Sequence, residues 1–487
     1  MEYLLGIDIG TTGTKSALFS SRGELVDIAS SGYGLSYPRE GWVEQRAGDW
    51  WDALVQTVRE LVARNRCADR VAGMSLSTQG GALVLLDEEF NPIADAVSWL
   101  DTRAKETADI LKRQISVEEI YRTSGWPILN SLNFPNILWF REKRPDLFKR
   151  ARFFASTVDY IGYLLTGRFV IDPTNLALTL FLDLDRNDFS EKALGILGVG
   201  RERFPEVVPS GRMIGKLNPK PAKLLGLGQS VAVVSGAQDQ YCASIGAGAV
   251  EPGDCVLSCG TAWVLLATCD KLYFNDKSLA GHGIVAAVFP GPHPIEGKYG
   301  LMTSVPFGGN SLAWFRDTLR PGVSYDLLNA DAAEVSPGSE GLIFYPIQSS
   351  KSGKGAFVGI DGVHTMRHFT RAVYEGIAFL NRRHLDMIRE SGVHVQKLIM
   401  IGGGAKSPLW PRIVAEVCGV PVTLPELNEA ACAGAAVLAG VGSGLFPSIV
   451  DGSRAVSVTK KEILPTEGAT EKCREMYEKY MGTLGAV

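Results

Sequence analysis

No CxxC pair occurs in this chain, and histidine is scarce, six among 487 residues with no metal-ligand spacing. Zinc ribbons and fingers are thereby excluded. The eight cysteines, at 67, 242, 255, 259, 269, 418, 432 and 473, are spread thinly. Only Cys255, Cys259 and Cys269 lie near one another, and alternation along a strand accounts for them as small buried hydrophobes. A reduced, cytoplasmic protein is expected. No apolar run approaches the roughly 18–20 residues of a membrane-spanning helix. No basic segment, apolar stretch and cleavage site precede the first strand-like run, so secretion is not expected either. An excess of positive charge is also missing: 49 Lys and Arg face 53 Asp and Glu, a net charge of −4. That argues against nucleic acid or an anionic membrane as main partner. The phosphate-loop pattern GxxxxGK[ST] is absent.

What remains is an ordinary globular composition, 46% apolar and 21% charged. The length exceeds one compact core and suggests roughly two to four domains. Strand-like and helix-like segments alternate throughout, which favours α/β architecture. The pattern also restarts. "LLGIDIGTTGTKSALFSSRGELV" (4–26) and "GDCVLSCGTAWVLLAT" (253–268) each place two apolar runs around a Gly-Thr bend, with Cys259 standing where the first copy has Ile9. We read a weak internal duplication, two halves meeting near residue 243, with domains at 1–243 and 244–487 and a shared cleft.

The first bend holds Asp8, Gly10, Thr11, Thr12, Gly13, Thr14 and Lys15. Backbone N–H groups in such a bend converge on phosphate oxygens, and the three threonine hydroxyls and Lys15 add donors and charge. Asp8 would repel a phosphate unless a divalent cation lay between them, and Mg²⁺ takes one or two carboxylates plus phosphate oxygens. A tight hairpin with a capping Asp is the alternative. "IGGGAKSPLW" (401–410) is a second glycine loop between strand and helix, without the third glycine of the dinucleotide fingerprint. Asp239, in "SGAQDQ", follows an apolar strand, where a carboxylate either takes a proton from a substrate hydroxyl or caps the next helix.

Together these segments resemble the FGGY carbohydrate kinases, a branch of the actin/hexokinase-type ATPase superfamily. "GIDIGTTGTK" matches the family's first phosphate loop and "SCGT" its second. "GWVEQRAGDWW" matches GWxEQxPxxWW with Ala47 for Pro; "WLDTR", "DYIGYLLTG", "GAFVGIDGVHTMRHFTRAVYE" and "GGGAKSPLW" match further segments in order. The resemblance implies an α/β fold of two duplicated, actin/hexokinase-like (ribonuclease H-like) domains, each a mixed sheet flanked by helices, around a cleft. It implies ATP-dependent phosphorylation of a hydroxyl on a sugar, such as a pentulose, or a polyol, with ATP and Mg²⁺ as cofactors. Carried over by position, Asp239 is the catalytic base and Asp8 the magnesium-associated acid. Gly10, Thr11, Thr12, Lys15, Gly260 and Thr261 face the phosphates. Gly402, Gly403, Gly404, Ala405 and Ser407 border the adenosine. Gln79, Gly80, Trp99, Asp239 and Gln240 meet the acceptor.

Departures from the family pattern bear on substrate choice. After Gln79, glycerol kinases carry Arg-Glu and xylulokinases Met-His; here Gly80 and Gly81 stand, which implies backbone contacts and more room. Asn136 replaces a usual lysine, and Asn133 a usual Pro, Ser or Thr. A conformational or non-catalytic ATP-binding protein of the actin type is the alternative reading, and it would hydrolyse ATP without sugar. A dehydrogenase would bind a nicotinamide cofactor, and a silent sugar-binding regulator would lack Asp8, Lys15 or Asp239. The expected partners are a small-molecule sugar or polyol and, for assembly, a second copy of the chain. Trp42, Trp50 and Trp51 read as structural, His364 and His368 as surface or capping residues, and "RHFTRAVYEGIAFLNRRH" (367–384) as a solvated face.

Overall fold

The computed structural model describes residues 1–276, 287–305, 307–347 and 353–485. Six strands form a first sheet: β1 (Tyr3–Ile9), β2 (Gly13–Ser20), β3 (Leu25–Gly32), β4 (Val71–Thr78), β5 (Met213–Lys216) and β6 (Ala232–Gln238), in spatial order β5-β6-β4-β1-β2-β3. Seven form a second: β7 (Asp254–Cys259), β8 (Trp263–Cys269), β9 (Phe289–Pro292), β10 (Tyr299–Val305), β11 (Lys397–Ile401), β12 (Val422–Pro425) and β13 (Thr459–Ile463), in order β9-β10-β8-β7-β11-β12-β13. Walking from β3 to β5, neighbours pair antiparallel twice, parallel twice, then antiparallel. From β10 to β13 the same succession recurs. The duplication read from two bends therefore extends to whole mixed sheets.

Helices cover both. The first, α1 (Ala47–Asn65), buries Trp50, Leu54, Val58 and Leu61, an apolar stripe at helical spacing. The others used below are α2 (Asp239–Gly246), α3 (Gly308–Leu319), α4 (Tyr325–Ala333), α5 (Met366–Glu390), α6 (Trp410–Cys418), α7 (Ala430–Gly442) and α8 (Ile449–Val456). No described helix is long and apolar enough to cross a membrane.

Two of these helices change sides. Ala243 and Ala247 of the α2 segment pack with Val256 of β7 and with Ile399 and Ile401 of β11, under the second sheet. In return α7, from the second half of the chain, sends Ala433, Ala436, Val437 and Leu438 into the first core, and α8 follows with Ile449 and Val456. The two sheets fall on either side of residue 243; the cores do not. Where α2 and α7 cross, a Cβ on Gly246 would lie 1.9 Å from the Ala430 carbonyl, and one on Gly434 1.9 Å from the Cys242 carbonyl. Backbone meets backbone there, and only glycine permits it.

One expectation from the sequence is reversed. The basic run at 367–384 is not a solvated face: from Thr370 to Asn381 α5 is buried throughout. Arg371 survives burial because Glu375, one turn on, accepts from its Nε at 2.7 Å. Glu375 in turn accepts from Gly338 N and the Ser339 hydroxyl. A buried ion pair whose remaining lone pairs are bonded is tolerable; an unpaired charge is not. His368 completes a capping box with Thr365, and His364 Nδ1 accepts from Asp361 N, in agreement with their reading as caps.

The crossing yields a direct test. Gly434→Ala forces a Cβ against backbone and should cost about 1–3 kcal/mol, as overpacking does. Its unfolding temperature should fall by a few degrees in a calorimetric scan. Gly482→Ala, with nothing within 4 Å, should leave it unchanged; equal behaviour of the two variants would refute the tight crossing.

Candidate active site

The site is assembled from the ends of three neighbouring strands. β1 runs parallel to β4, and β4 to β6, so Asp8 lies beside Ser77, and Gln238 beside Thr78. Ligands of α/β sheets bind outside such carboxyl ends. Asp8 also faces Lys15 across the β1–β2 hairpin.

Asp239 is the first residue of α2, yet it does not cap that helix. Gln238 is the N-cap, its Oε1 accepting from Gln240 N at 3.0 Å. The same side chain donates through Nε2 to Asp239 Oδ1. Asp239 is thus relieved of the capping role and is only half-buried. Burial raises its pKa, the Asp8 charge raises it further, and hydrogen bonds from Gln240 and Gln238 oppose them, leaving it at about 7. Asp8 is half-buried too, its Oδ1 accepting from the Ser77 hydroxyl at 2.7 Å. Burial lifts its pKa above the ordinary value, against the pull of Ser77 and Lys15. Asp239 thus feels the Asp8 charge, and neither acid is sealed off.

Lys15 Nζ lies 2.7 Å from Glu429, the residue before α7. Burial lowers its pKa, but Glu429 outweighs that and holds the ammonium above its usual range. Thr11 Oγ1 accepts from Trp99 Nε1 at 3.0 Å, which leaves the threonine proton free to donate. Thr12 is exposed. Thr14 is not part of the cradle: it is fully buried, its hydroxyl 3.3 Å from the Tyr33 hydroxyl. As the next residue in β2 it points to the opposite face from Lys15.

Beneath the bend, Gln45 Nε2 donates to the Thr11 carbonyl at 2.6 Å, and Gln79 Nε2 to Gln45 Oε1 at 3.0 Å. Gln79 is 3% exposed, so its amide braces the bend from below instead of lining the cleft. Trp99, by contrast, is 40% exposed at the rim. The loop that carries it is fixed by buried Asp101, which accepts from Val43 N at 2.6 Å and binds Arg103, itself paired with Glu44 at 2.7 Å. The GWVEQ and WLDTR segments are thus one knot. Asn133 and Asn136 are buried within the first lobe; Asn136 donates to the Leu132 carbonyl.

On the second sheet, Gly260, Thr261, Gly403, Gly404 and Ser407 line one cavity of about 550 Å³. Gly402 shapes the turn beside it with φ +85°, and Ala405 packs on the second core. The Ser407 hydroxyl is committed: it accepts from Trp410 N to start α6 and donates to Asn329 Oδ1 at 2.6 Å. Sequence reasoning missed Asn310 at the start of α3, Tyr325, Asp326 and Asn329 on α4, and Glu429. "FGGN" at the start of α3 is a usable signal; the α4 residues carry none. A larger cavity, about 820 Å³, opens between the β9–β10 turn and the C-terminal end of α7 and holds none of the expected site residues.

The arrangement joins a half-buried acid of raised pKa, a second acid beside it, and two glycine bends leading to a cavity of nucleoside size. The sequence agrees with it over both halves. Residues 3–246 match the N-terminal domain of the FGGY family of carbohydrate kinases, and 255–443 its C-terminal domain. The chain belongs to that family. It is 29% identical to a xylulose kinase of Bacillus subtilis over 99% of this chain and 96% of that one. It is 27% identical to a gluconokinase of the same organism, covering 98% and 94%. The crystal structure of a xylulose kinase from Rhodospirillum rubrum superimposes with a TM-score of 0.91 at 26% identity, over 99% and 98% of the two chains. The fold is that of the FGGY kinases, and the chain is a carbohydrate kinase.

Titration of Asp239 is testable without substrate. The folded protein keeps the Asp239 proton up to about pH 7, whereas an ordinary Asp releases it near 3.8. Between those values the folded state binds more protons, so this group's contribution to stability falls as pH rises. Asp239→Asn should therefore melt higher than the parent at pH 8, with the gap shrinking toward pH 4. A pH-independent gap would contradict the raised pKa.

Proposed function

We infer that this kinase transfers the γ-phosphoryl group of ATP to a hydroxyl of a ketose, such as a pentulose, or of a polyol, with Asp239 as general base. The observation that carries this reading is the Asp239 carboxylate itself, released from helix capping by Gln238 and raised to about 7 beside Asp8. A base that titrates near the working pH combines availability with proton affinity. In a loose phosphoryl-transfer transition state the enzyme's task is alignment and charge neutralisation. Asp239 orients the acceptor hydroxyl and takes its proton as the O–P bond forms. Thr11, Thr12 and the backbone of Gly10, Gly260 and Thr261 donate to phosphate oxygens, and Lys15 adds charge. Gly403, Gly404 and the α4 residues border the adenosine.

Asp8 and Asp239 fit a divalent ion that arrives with the nucleotide, since Mg²⁺ takes few protein carboxylates and keeps phosphate oxygens and water. Three-acid, His or Cys clusters suited to a resident metal are absent among the described residues. Magnesium, when bound, supplies neutralisation of charge between the Asp8 carboxylate and the phosphate oxygens. The Trp99 rim and the approach of the two lobes exclude water, which otherwise competes as acceptor. All eight cysteines are buried and free, which supports a cytoplasmic setting. The relatives named for xylulose and for gluconate stand at nearly equal identity, so the acceptor is left to experiment.

The test is a coupled ADP-release screen over pentuloses, hexuloses, aldonates and polyols. We expect sugar-dependent ADP release, with kcat/KM rising to a plateau near pH 7. Asp239→Asn should lose about 10²–10⁴ in kcat while calorimetric ATP binding survives. A variant keeping more than half the parent's turnover would remove Asp239 from this role, and ADP release independent of every acceptor would overturn the kinase reading.

A further inference from the structure

Gly80 lies just past the end of β4, half-buried beside the site. A Cβ built there would come within 2.2 Å of Leu178 Cδ1 and 3.3 Å of Gln238 Cγ. A side chain at 80 would therefore displace the Leu178 methyl from its place. The room expected from the Gly80–Gly81 pair is already filled, by a residue nearly a hundred positions away. Gly81 has φ +76°, and a Cβ there would lie 3.3 Å from Trp99 Cβ. Between exposed Trp99 and the Gln238–Asp239 pair, the wall is thus glycine backbone and leucine methyl.

Leu178 is held there by polar ties that converge on the catalytic strand. Asp172 accepts from Thr174 N at 2.9 Å, from Asn175 N at 3.0 Å and from Asn175 Nδ2 at 2.7 Å. Thr174 Oγ1 accepts from Gln238 N at 2.8 Å, and Thr78 Oγ1 donates to Asn175 Oδ1 at 3.3 Å. The segment is thereby tied to the residue before Asp239 and to one two positions before Gly80. Two residues beyond Leu178, buried Leu180 adopts φ +66°, a conformation costly for non-glycine residues that persists only where the surroundings impose it. Leu178 is 8% exposed. Its position is imposed from both sides.

We propose that Leu178, seated over Gly80, is the specificity-determining wall of the acceptor pocket and selects acceptors that turn a deoxy carbon, a CH₂ or CH₃, toward it. This rests on the kinase reading above. A hydroxyl against those methyls finds no partner, and leaving a buried polar group unpaired is costly. An apolar wall rejects an added hydroxyl only moderately, by about 10–100-fold. That sets the size of the effect.

Three acceptor pairs differing by one hydroxyl supply the test: D-xylulose with 1-deoxy-D-xylulose, L-tagatose with 6-deoxy-L-tagatose, and D-gluconate with 3-deoxy-D-gluconate. In at least one pair the parent should favour the deoxy member in kcat/KM by about tenfold or more. Leu178→Asn, similar in size but able to hydrogen-bond, should reduce that ratio below about threefold at parent-like melting temperature. Gly80→Ala should lose activity through the overlap, and the L178A/G80A pair should regain at least tenfold over G80A, a coupling that independent sites would not show. A parent that favours the hydroxylated member in all pairs, an unchanged ratio in L178N, or no rescue in the double variant would each overturn the proposal. Failure of the parent to phosphorylate any acceptor would instead count against the kinase reading, and calorimetric binding of the same pairs would then decide the wall.

Discussion

Everything at the site depends on two helices touching through glycine. Where Gly246 of α2 and Gly434 of α7 let backbones meet, each lobe's helix can pass beneath the other lobe's sheet. The consequence is positional. Asp239 opens α2 and Glu429 immediately precedes α7, and the charges of both act on or respond to Asp8. A methyl group at the crossing would push apart the lobes whose separation fixes Asp239, the two Gly-Thr bends and the cavity beside Gly260. Chemistry that needs placement within fractions of an ångström is thereby tied to a contact with no room for a side chain.

Charge at the site is arranged with equal economy. Two half-buried acids resist ionisation here: burial raises both, Glu429 adds to the effect at Asp8, and the Asp8 charge adds to it at Asp239. Lys15 is the nearest compensating cation, and Glu429 draws it from the opposite side at 2.7 Å. The Lys15 side chain is 48% exposed, so that pair contributes little on its own, up to about 1 kcal/mol. A lysine held so lightly is easily redirected to phosphate oxygens, which carry more charge than one carboxylate. Gln238 completes the balance, capping α2 with one end of its amide and donating to Asp239 with the other.

The sequence disclosed what is local and concealed what is not. Both Gly-Thr bends, the glycine loop at 402–404 and Asp239 lie within short contiguous motifs, because a bend that cradles phosphate is built from neighbouring residues. The bracing of Thr11 by Gln45 and Gln79, the return of α7 into the first core, and Asn329 beside Ser407 join residues tens to hundreds of positions apart, and no periodicity reports such contacts. Gly80 and Gly81 suggested an open pocket only because Leu178 is not visible from them. The run at 367–384 misled for a different reason: polarity normally signals solvent, but Arg371 is neutralised one turn along its own helix by Glu375 and so can be buried.

Duplication explains why the two bends look alike, and the register explains why they act differently. Ile9 pairs with Thr14 in the first hairpin, and Cys259 with Trp263 in the second, so the second bend is one residue shorter. By that register Ser258 corresponds to Asp8, and Val264 to Lys15. The second copy keeps the glycine backbone of the bend and drops both charges. Had it kept them, a second acid and a second lysine would face the same anion from across the cleft, adding like charge where Asp8 and Asp239 already repel. Instead the freed volume is apolar: Trp263 packs against Trp410 at 4.7 Å between ring centroids and walls the nucleoside cavity. The first hairpin thus carries charge, and the second carries shape. On the proposed function, that asymmetry, more than the shared fold, is what would give a duplicated pair of sheets a donor side and an acceptor side.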